Sequence, residues 1–312
     1  MHALLHVGRR AGQIAVTVLL VAVLTFTLLH MLPGDPAAVL LGERADEATI
    51  AQLHHQMGLD QPMPVQFWRY LVSLATLNLG DSLTMRIPVA TLLLQRLPVT
   101  LGLTFYALLL ALLIAVPLAF AAALREGGIA DTVIQVASQI GLSMPVFYLG
   151  LILLITLAAG LGWFPVGGIG DSFFSDIRAL FLPALTLALS LSALLMRNLR
   201  AALVEVLQAE FVTFARAKGL PRRLLLLRHV LRNALVSTLT LLGIRISGLV
   251  GGAVITETVF AIPGIGRLMI DSIFARDYAV VQGTLLVIAV LVSLVFLATD
   301  ALQAMLDPRV EA

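Results

Sequence analysis

The sequence predicts an all-α integral membrane protein with six transmembrane helices. Three observations carry that expectation. Of the 312 residues, 60% are hydrophobic and only 12% are charged, about half the charged share of a soluble globular domain. Mean hydropathy is +1.01. The apolar residues also fall into charge-poor runs, each near the roughly 20 residues that a helix needs to cross a bilayer. A net charge of only +2 supplies no basic face for nucleic acid. The absence of cysteine excludes disulfides, thiolate metal sites and cysteine nucleophiles.

The elements follow in order. A short N-terminal segment, 1–10, precedes span one at 11–32. That run is uncharged and follows Arg9-Arg10; it is longer than a signal-peptide core and no small-x-small site follows it, so it reads as an uncleaved anchor. Residues 33–96 form a long outer segment, scoop-like, with Pro, Gly and charges between short amphipathic pieces such as 65–77. Span two, 97–124, is charge-free and bracketed by Arg96 and Arg125. Span three, 132–160, stops where the chain turns Gly-rich, leaving an outer loop at 161–178. Span four takes 179–199. The connection 200–234 is too long for a turn and reads as two helices broken at Gly219-Leu220-Pro221, because Gly suits the left-handed position after a helix and Pro the first turn of the next. Span five, 235–259, holds Arg245 and Glu257. An outer loop at 260–277 leads to span six, 278–304, and a tail at 305–312. There is no internal repeat and no low-complexity segment.

Basic residues set the orientation. With the N-terminus inside, the inner segments hold Arg9, Arg10, Arg125, every base from Arg197 to Arg232, and Arg309. The outer segments hold Arg44, Arg69, Arg86, Arg96, Arg178, Arg267 and Arg276, spread over a longer stretch of chain. The positive-inside rule places both termini in the cytoplasm.

The inner loop is the most informative stretch. Glu210-Phe211-Val212-Thr213-Phe214-Ala215-Arg216-Ala217-Lys218-Gly219-Leu220 puts an acid early in a short helix and two bases at its end, complementing the macrodipole. On charge alone, this pattern equally describes a basic amphipathic helix lying on anionic lipid, or charge that serves only topology.

Ala215-Arg216-Ala217-Lys218-Gly219-Leu220, followed by Arg228-His229-x-Leu231-Arg232-Asn233-Ala234, resembles the EAA loop of binding-protein-dependent ABC importer permeases. The resemblance is strongest to the branch that imports dipeptides, oligopeptides, glutathione and nickel. It covers nearly the whole chain, through Leu32-Pro33-Gly34-Asp35-Pro36, Gly58-Leu59-Asp60-Gln61-Pro62, Leu97-Pro98-x-Thr100-Leu101, Ser143-Met144-Pro145 and Gly162-Trp163-Phe164-Pro165. Gly251-Gly252-Ala253-Val254, Glu257-Thr258-Val259-Phe260, Pro263-Gly264-x-Gly266-Arg267, Arg276-Asp277-Tyr278 and Leu306-Asp307-Pro308-Arg309 complete the order. Two positions depart from the pattern. Ser237 stands where the family usually has Pro, and Ala279 replaces the Pro after Arg-Asp-Tyr, each removing a backbone constraint.

The resemblance implies a type I ABC importer permease in a bacterial inner membrane. It implies a second homologous permease subunit, two ATPase subunits that bind ATP and Mg, and an extracytoplasmic solute-binding protein. Glu210, Phe214, Ala215, Arg216, Ala217, Lys218, Gly219 and Leu220 would then dock into an ATPase cleft, while Arg245, Gly251 and Gly252 would line the route. Substrate would be a di- or oligopeptide, with nickel, a metal chelate or glutathione as alternatives in the same branch. The residues agree on one point of energetics: a P-loop needs Gly-Lys-Ser/Thr, and the only lysine, Lys218, is followed by Gly219. No cofactor and no catalytic residue is expected in this chain.

Enzyme-like strings fit poorly. Gly80-Asp81-Ser82-Leu83 matches the name-giving motif of a hydrolase family, but that chemistry needs a fixed nucleophile and a positioned His. Gly168-Ile169-Gly170-Asp171 resembles the motif of intramembrane aspartyl proteases, yet falls in an outer loop. His54 and His55 are adjacent, about 100° apart on a helix, and form no facing metal pair. A secondary transporter would show inverted repeats and charged midplane breaks. Arg245 alone lies near a midplane, where a charge is costly and faces a pathway or a partner. It meets either a substrate carboxylate or a structural acid, Asp300 or one on another subunit.

Overall fold

The computed structural model describes residues 2–31, 46–170 and 172–306, whose regular elements are helical. The Leu32-Pro33-Gly34-Asp35-Pro36 string, Arg44, Asp171 and Asp307-Pro308-Arg309 lie outside them. In chain order the helices are α1 (His2–Met31), α2 (Glu47–Met57), α3 (Met63–Ala75), α4 (Val89–Ala123), α5 (Ile129–Ser143), α6 (Val146–Leu153), α7 (Phe173–Gln208), α8 (Glu210–Ala217), α9 (Arg222–Leu224), α10 (Leu231–Val259), α11 (Ile265–Phe274) and α12 (Tyr278–Leu306). A π-helical segment, Leu154–Gly160, extends α6, and another, Leu225–Val230, joins α9 to α10. Among the described residues, α4, α7 and Tyr278–Ala301 of α12 are long and apolar enough to cross a membrane, and α5 with Val146–Gly160 is apolar enough only when the bent pair is taken together, as one broken span or a re-entrant loop.

That bent pair occupies the region expected to form span three. Its two halves meet at 103°. The cause is local. Pro145 cannot donate a backbone hydrogen bond and disfavours a helical residue before it, so Met144 turns extended (ψ 129°) and α6 restarts from Pro145. Helix α7 begins at a capping box on Ser172 and runs 36 residues, past both ends of the expected 179–199 segment. At 1.5 Å per residue it is about 54 Å long, against about 30 Å of hydrocarbon. Arg197 and Arg200 lie within the helix and do not end it.

The chain divides into two compact units, Met1–Thr100 with Pro263–Ser293, and Leu101–Ile262 with Leu294–Ala312. In the second, Leu103, Ala107, Ala111, Ala115, Ala119 and Ala123 recur every four residues along α4 and are all buried. Small side chains at this spacing let helix backbones approach closely. They share one core with Ala184, Leu187, Ala188, Leu191, Leu195, Met196, Leu199 and Leu203 of α7, and with Leu249 and Ala253 of α10.

In the first unit, Val89, Leu92 and Leu93 of α4 pack with Ile265, Leu268 and Val280. The end of α1 meets α3 through Phe26, whose ring lies 5.1 Å from Phe67 and 5.8 Å from Tyr70, and through His30 Nε2, 3.0 Å from Gln66 Oε1. Burial pushes the Tyr70 phenol up to about 12, and its hydroxyl has no partner among the described residues.

Asp277 locks this unit. Its side chain is fully buried, and Oδ2 accepts hydrogen bonds from Ser82 Oγ (2.6 Å), Thr84 N (3.1 Å) and Thr84 Oγ1 (3.0 Å). Oδ1 faces the Val280 amide at 3.5 Å, at the start of α12. The hydrolase-like serine is therefore a buried donor to a carboxylate. Asp277→Ala strands these donors and is expected to cost about 3–5 kcal/mol, with Asp277→Asn near half of that; thermal unfolding of the purified complex checks it. An unchanged midpoint for Asp277→Ala would show that the lock carries no stability.

Candidate functional site

The eight residues of α8 form a helix because both ends are resolved locally. Glu210 sits in the first turn and Arg216 in the last, each complementing the dipole. The C-terminus closes in a Schellman motif. Gly219 N donates to Arg216 O at 2.9 Å and Leu220 N to Ala215 O at 3.2 Å, with Gly219 at φ +77°. Only glycine takes that conformation without penalty. Pro221 then caps α9.

The connection is thus three helical pieces rather than two. The extra break is Ala209 (ψ 144°), between α7 and α8. Helix α8 is held by Val212, which is fully buried in one cluster with Leu199 and Leu203 of α7, Leu225 and Val230 of the π-helical segment, and Ala119 and Ala123 of α4. The opposite side is open. Glu210, Phe214, Arg216, Ala217, Lys218 and Gly219 are exposed, while Ala215 and Leu220 are half-buried. Phe214 is 67% exposed and Phe211, three residues earlier on the same face, 43%. Phe211 and Val212 were not singled out by sequence. Their signal was the spacing: Phe211 and Phe214 on one face, Val212 on the other.

Arg245 is the midpoint of α10 and is exposed. Among the described residues it forms no ion pair, with Asp300 or with any other acid. Gly251 is exposed, with open space where a Cβ would stand, whereas a Cβ on Gly252 would meet Leu187 Cδ2 at 3.3 Å. Helical geometry places Gly252 about 20° from Arg245 and Gly251 about 120° round. The three do not converge on one point. Gly252 lies against α7, while Arg245, on nearly the same side of α10, and Gly251 are exposed. No group of three or more His, Asp or Glu side chains among the described residues is placed to hold a metal; His55 instead lies 3.6 Å from Asp60.

A second polar cluster joins α5 to α7. Arg200 Nε and Nη2 each donate at 2.6 Å, to Oδ1 and Oδ2 of Asp131. Asp131 also accepts from Gly127 N at 2.9 Å and Gln135 Nε2 at 2.8 Å. Its side chain is 2% exposed and that of Arg200 is 18%. In sequence, Arg200 is one of the bases that set orientation, and nothing ties it to Asp131. An acid in the first turn of an apolar helix was the available signal.

Residues 115–312 match the family described as binding-protein-dependent transport system inner membrane component. Residues 3–104 match the family described as its N-terminal membrane component. The chain is 39% identical to the di/tripeptide transport system permease protein DppB of Pseudomonas aeruginosa, covering 97% of this chain and 98% of that relative. It is 38% identical to a putative peptide transport system permease of Brucella abortus, over 97% of each. It is 37% identical to the glutathione transport system permease GsiC of Salmonella paratyphi A, over 98% of each. Among solved structures, an inward-facing MetNI methionine ABC transporter chain aligns with a TM-score of 0.56 at 20% identity, covering 69% of this chain and 96% of that one.

Proposed function

The chain belongs to the family of binding-protein-dependent transport system inner membrane components, and from that premise we propose that it carries di- or oligopeptides across the membrane. It is the multi-pass inner-membrane permease of an ABC importer and not itself an enzyme. ATP is bound by its ATPase partners and substrate is delivered by a binding protein. One observation carries the peptide reading: full-length similarity to relatives named for di/tripeptides, peptides and glutathione, itself a tripeptide.

In this reading the permease pairs with a second, homologous subunit above two ATPases, with both termini in the cytoplasm. Helix α8 is the coupling helix. Phe211, Phe214, Arg216, Lys218 and Gly219 enter the ATPase cleft, with Glu210 and Ala217 at its edge. Ala215, Leu220 and Val212 hold the helix to the permease. What supports this is an exposed aromatic pair on a short helix whose other face is anchored. Arg245 and Gly251 line the translocation route, and Gly252 sets the contact of α10 with α7. ATP draws the two ATPases together, the coupling helices move with them, the route opens outward, and hydrolysis resets it.

Reconstituted with its ATPases, second permease and binding protein, the complex is expected to take up labelled di- and oligopeptides in an ATP-dependent, saturable way, with no uptake of free nickel. Nickel uptake without peptide uptake would overturn the substrate reading. The purified chain alone is expected to show no ATP hydrolysis, and hydrolysis by it would overturn the division of labour.

A further inference from the structure

The Asp131–Arg200 pair lies at a mechanical junction. Arg200 is on the inner end of α7, between Leu199 and Leu203, the residues that pack with Val212 of α8. Asp131 is in the first turn of α5, the leading half of the bent pair that breaks at Met144–Pro145. Movement of α8 reaches α10 directly, through α9 and the π-helical segment. No such chain connection runs from α8 to α5 and α6. Among the polar contacts of the described residues, the fork from Arg200 is what joins the α7 inner end to α5.

The donor set is complete for rigidity. Both carboxylate oxygens are occupied twice, once by the guanidinium and once by a local donor, Gly127 N on Oδ2 and Gln135 Nε2 on Oδ1. A bidentate guanidinium–carboxylate contact fixes orientation as well as distance. Lysine brings the same charge without the planar fork. Burial of the Asp131 carboxylate, beside a half-buried Arg200, limits the exchange of these bonds for water.

We infer that Asp131 and Arg200 are positioning residues for transport, which tie the bent α5–α6 pair to the movement of the coupling helix. This inference rests on the reading of α8 as that helix. It requires that breaking the fork uncouple ATP hydrolysis from uptake, since the ATPases still dock on α8 while the α5–α6 pair, still packed on α7, loses the contact that fixes its orientation to the α7 end.

The test uses the complete transporter in proteoliposomes, with Arg200→Lys, which keeps the charge, and Asp131→Asn, which keeps the shape. Assembled complex, ATP hydrolysis with and without loaded binding protein, and peptide uptake are each measured per mole of complex. The expected result is that both variants retain the ATPases and basal hydrolysis, while uptake per ATP hydrolysed falls about tenfold or more. Uptake per ATP that stays at the wild-type value overturns the inference, whether complex yield is normal or reduced, because the pair is then only structural. Gly219→Val serves as the second arm. If that variant transports normally and keeps its ATPases, the coupling-helix reading itself fails. If it loses them while Arg200→Lys and Asp131→Asn keep a normal uptake ratio, only the positioning role fails.

Discussion

Gly219→Val is expected to abolish peptide uptake, by about a hundredfold or more, while the permease still inserts and purifies. Gly219 stands at φ +77°. A β-carbon in the left-handed region costs roughly 1–2 kcal/mol, and β-branching at Cβ adds to it. No atom of this chain lies within 4 Å of where that β-carbon would stand, so the permease itself offers no clash. The variant therefore has two effects, both at the surface. Strain loosens the Schellman closure that fixes Lys218 and Leu220, and the isopropyl group projects into the space an ATPase cleft would occupy. A displacement of 1 Å at such a contact is worth about a hundredfold in rate. Gly219→Ala separates the two effects, since it adds the left-handed penalty without the bulk and is expected to lose only about tenfold. Co-purification of the ATPases with each variant, beside uptake, checks this. Gly219→Val with full ATPase retention and normal uptake would overturn the reading of α8 as the coupling helix and leave Gly219 an ordinary helix stop.

Helix character and membrane nature were legible because they depend on composition and local order. The end of α8 was legible for the same reason: Gly-Leu-Pro allows one backbone solution within four residues. Arg245 was legible as a lone charge in an apolar run. Other features depended on distant chain. Val212 and Phe211 both look like apolar members of a short amphipathic helix, and only the fold decides that Val212 meets Leu203 and Leu225 while Phe211 stays exposed. Asp131 and Arg200 are 69 residues apart, and Ser82 and Asp277 are 195 apart; no periodicity links such partners. The bend at Met144–Pro145 lies in a string that was read as a family landmark, although the steric rule for a residue before proline already pointed to a break. Helix α7 continues past both ends of the expected 179–199 span, because a charge such as Arg197 or Arg200 ends an apolar run without ending a helix.

Arg245→Gln is expected to leave complex yield and basal ATP hydrolysis unchanged and to slow uptake of peptides with a free C-terminal carboxylate by roughly thirtyfold, the equivalent of about 2 kcal/mol for a charge-assisted hydrogen bond. Amidated peptides should lose much less, because glutamine still donates to a neutral amide but supplies no charge for a carboxylate. Position supports the claim. Arg245 stands at the midpoint of an apolar helix, exposed on this chain and with no ion pair to Asp300. A guanidinium in hydrocarbon is tolerated only where it faces water, substrate or an opposing acid. Among the described residues no acid pairs with it, and the proposed assembly offers two places for it to face, the route or an acid on a second permease subunit. The two differ in what glutamine does. If an acid on the partner subunit faces Arg245, the substitution strands that acid at about 3–5 kcal/mol, and the complex assembles poorly whatever the peptide. If Arg245 faces the route, assembly is untouched and the loss follows the charge on the peptide C-terminus. Complex yield measured beside uptake of matched acid and amide peptides distinguishes the two, and equal losses for both peptides at normal yield would reject the carboxylate contact.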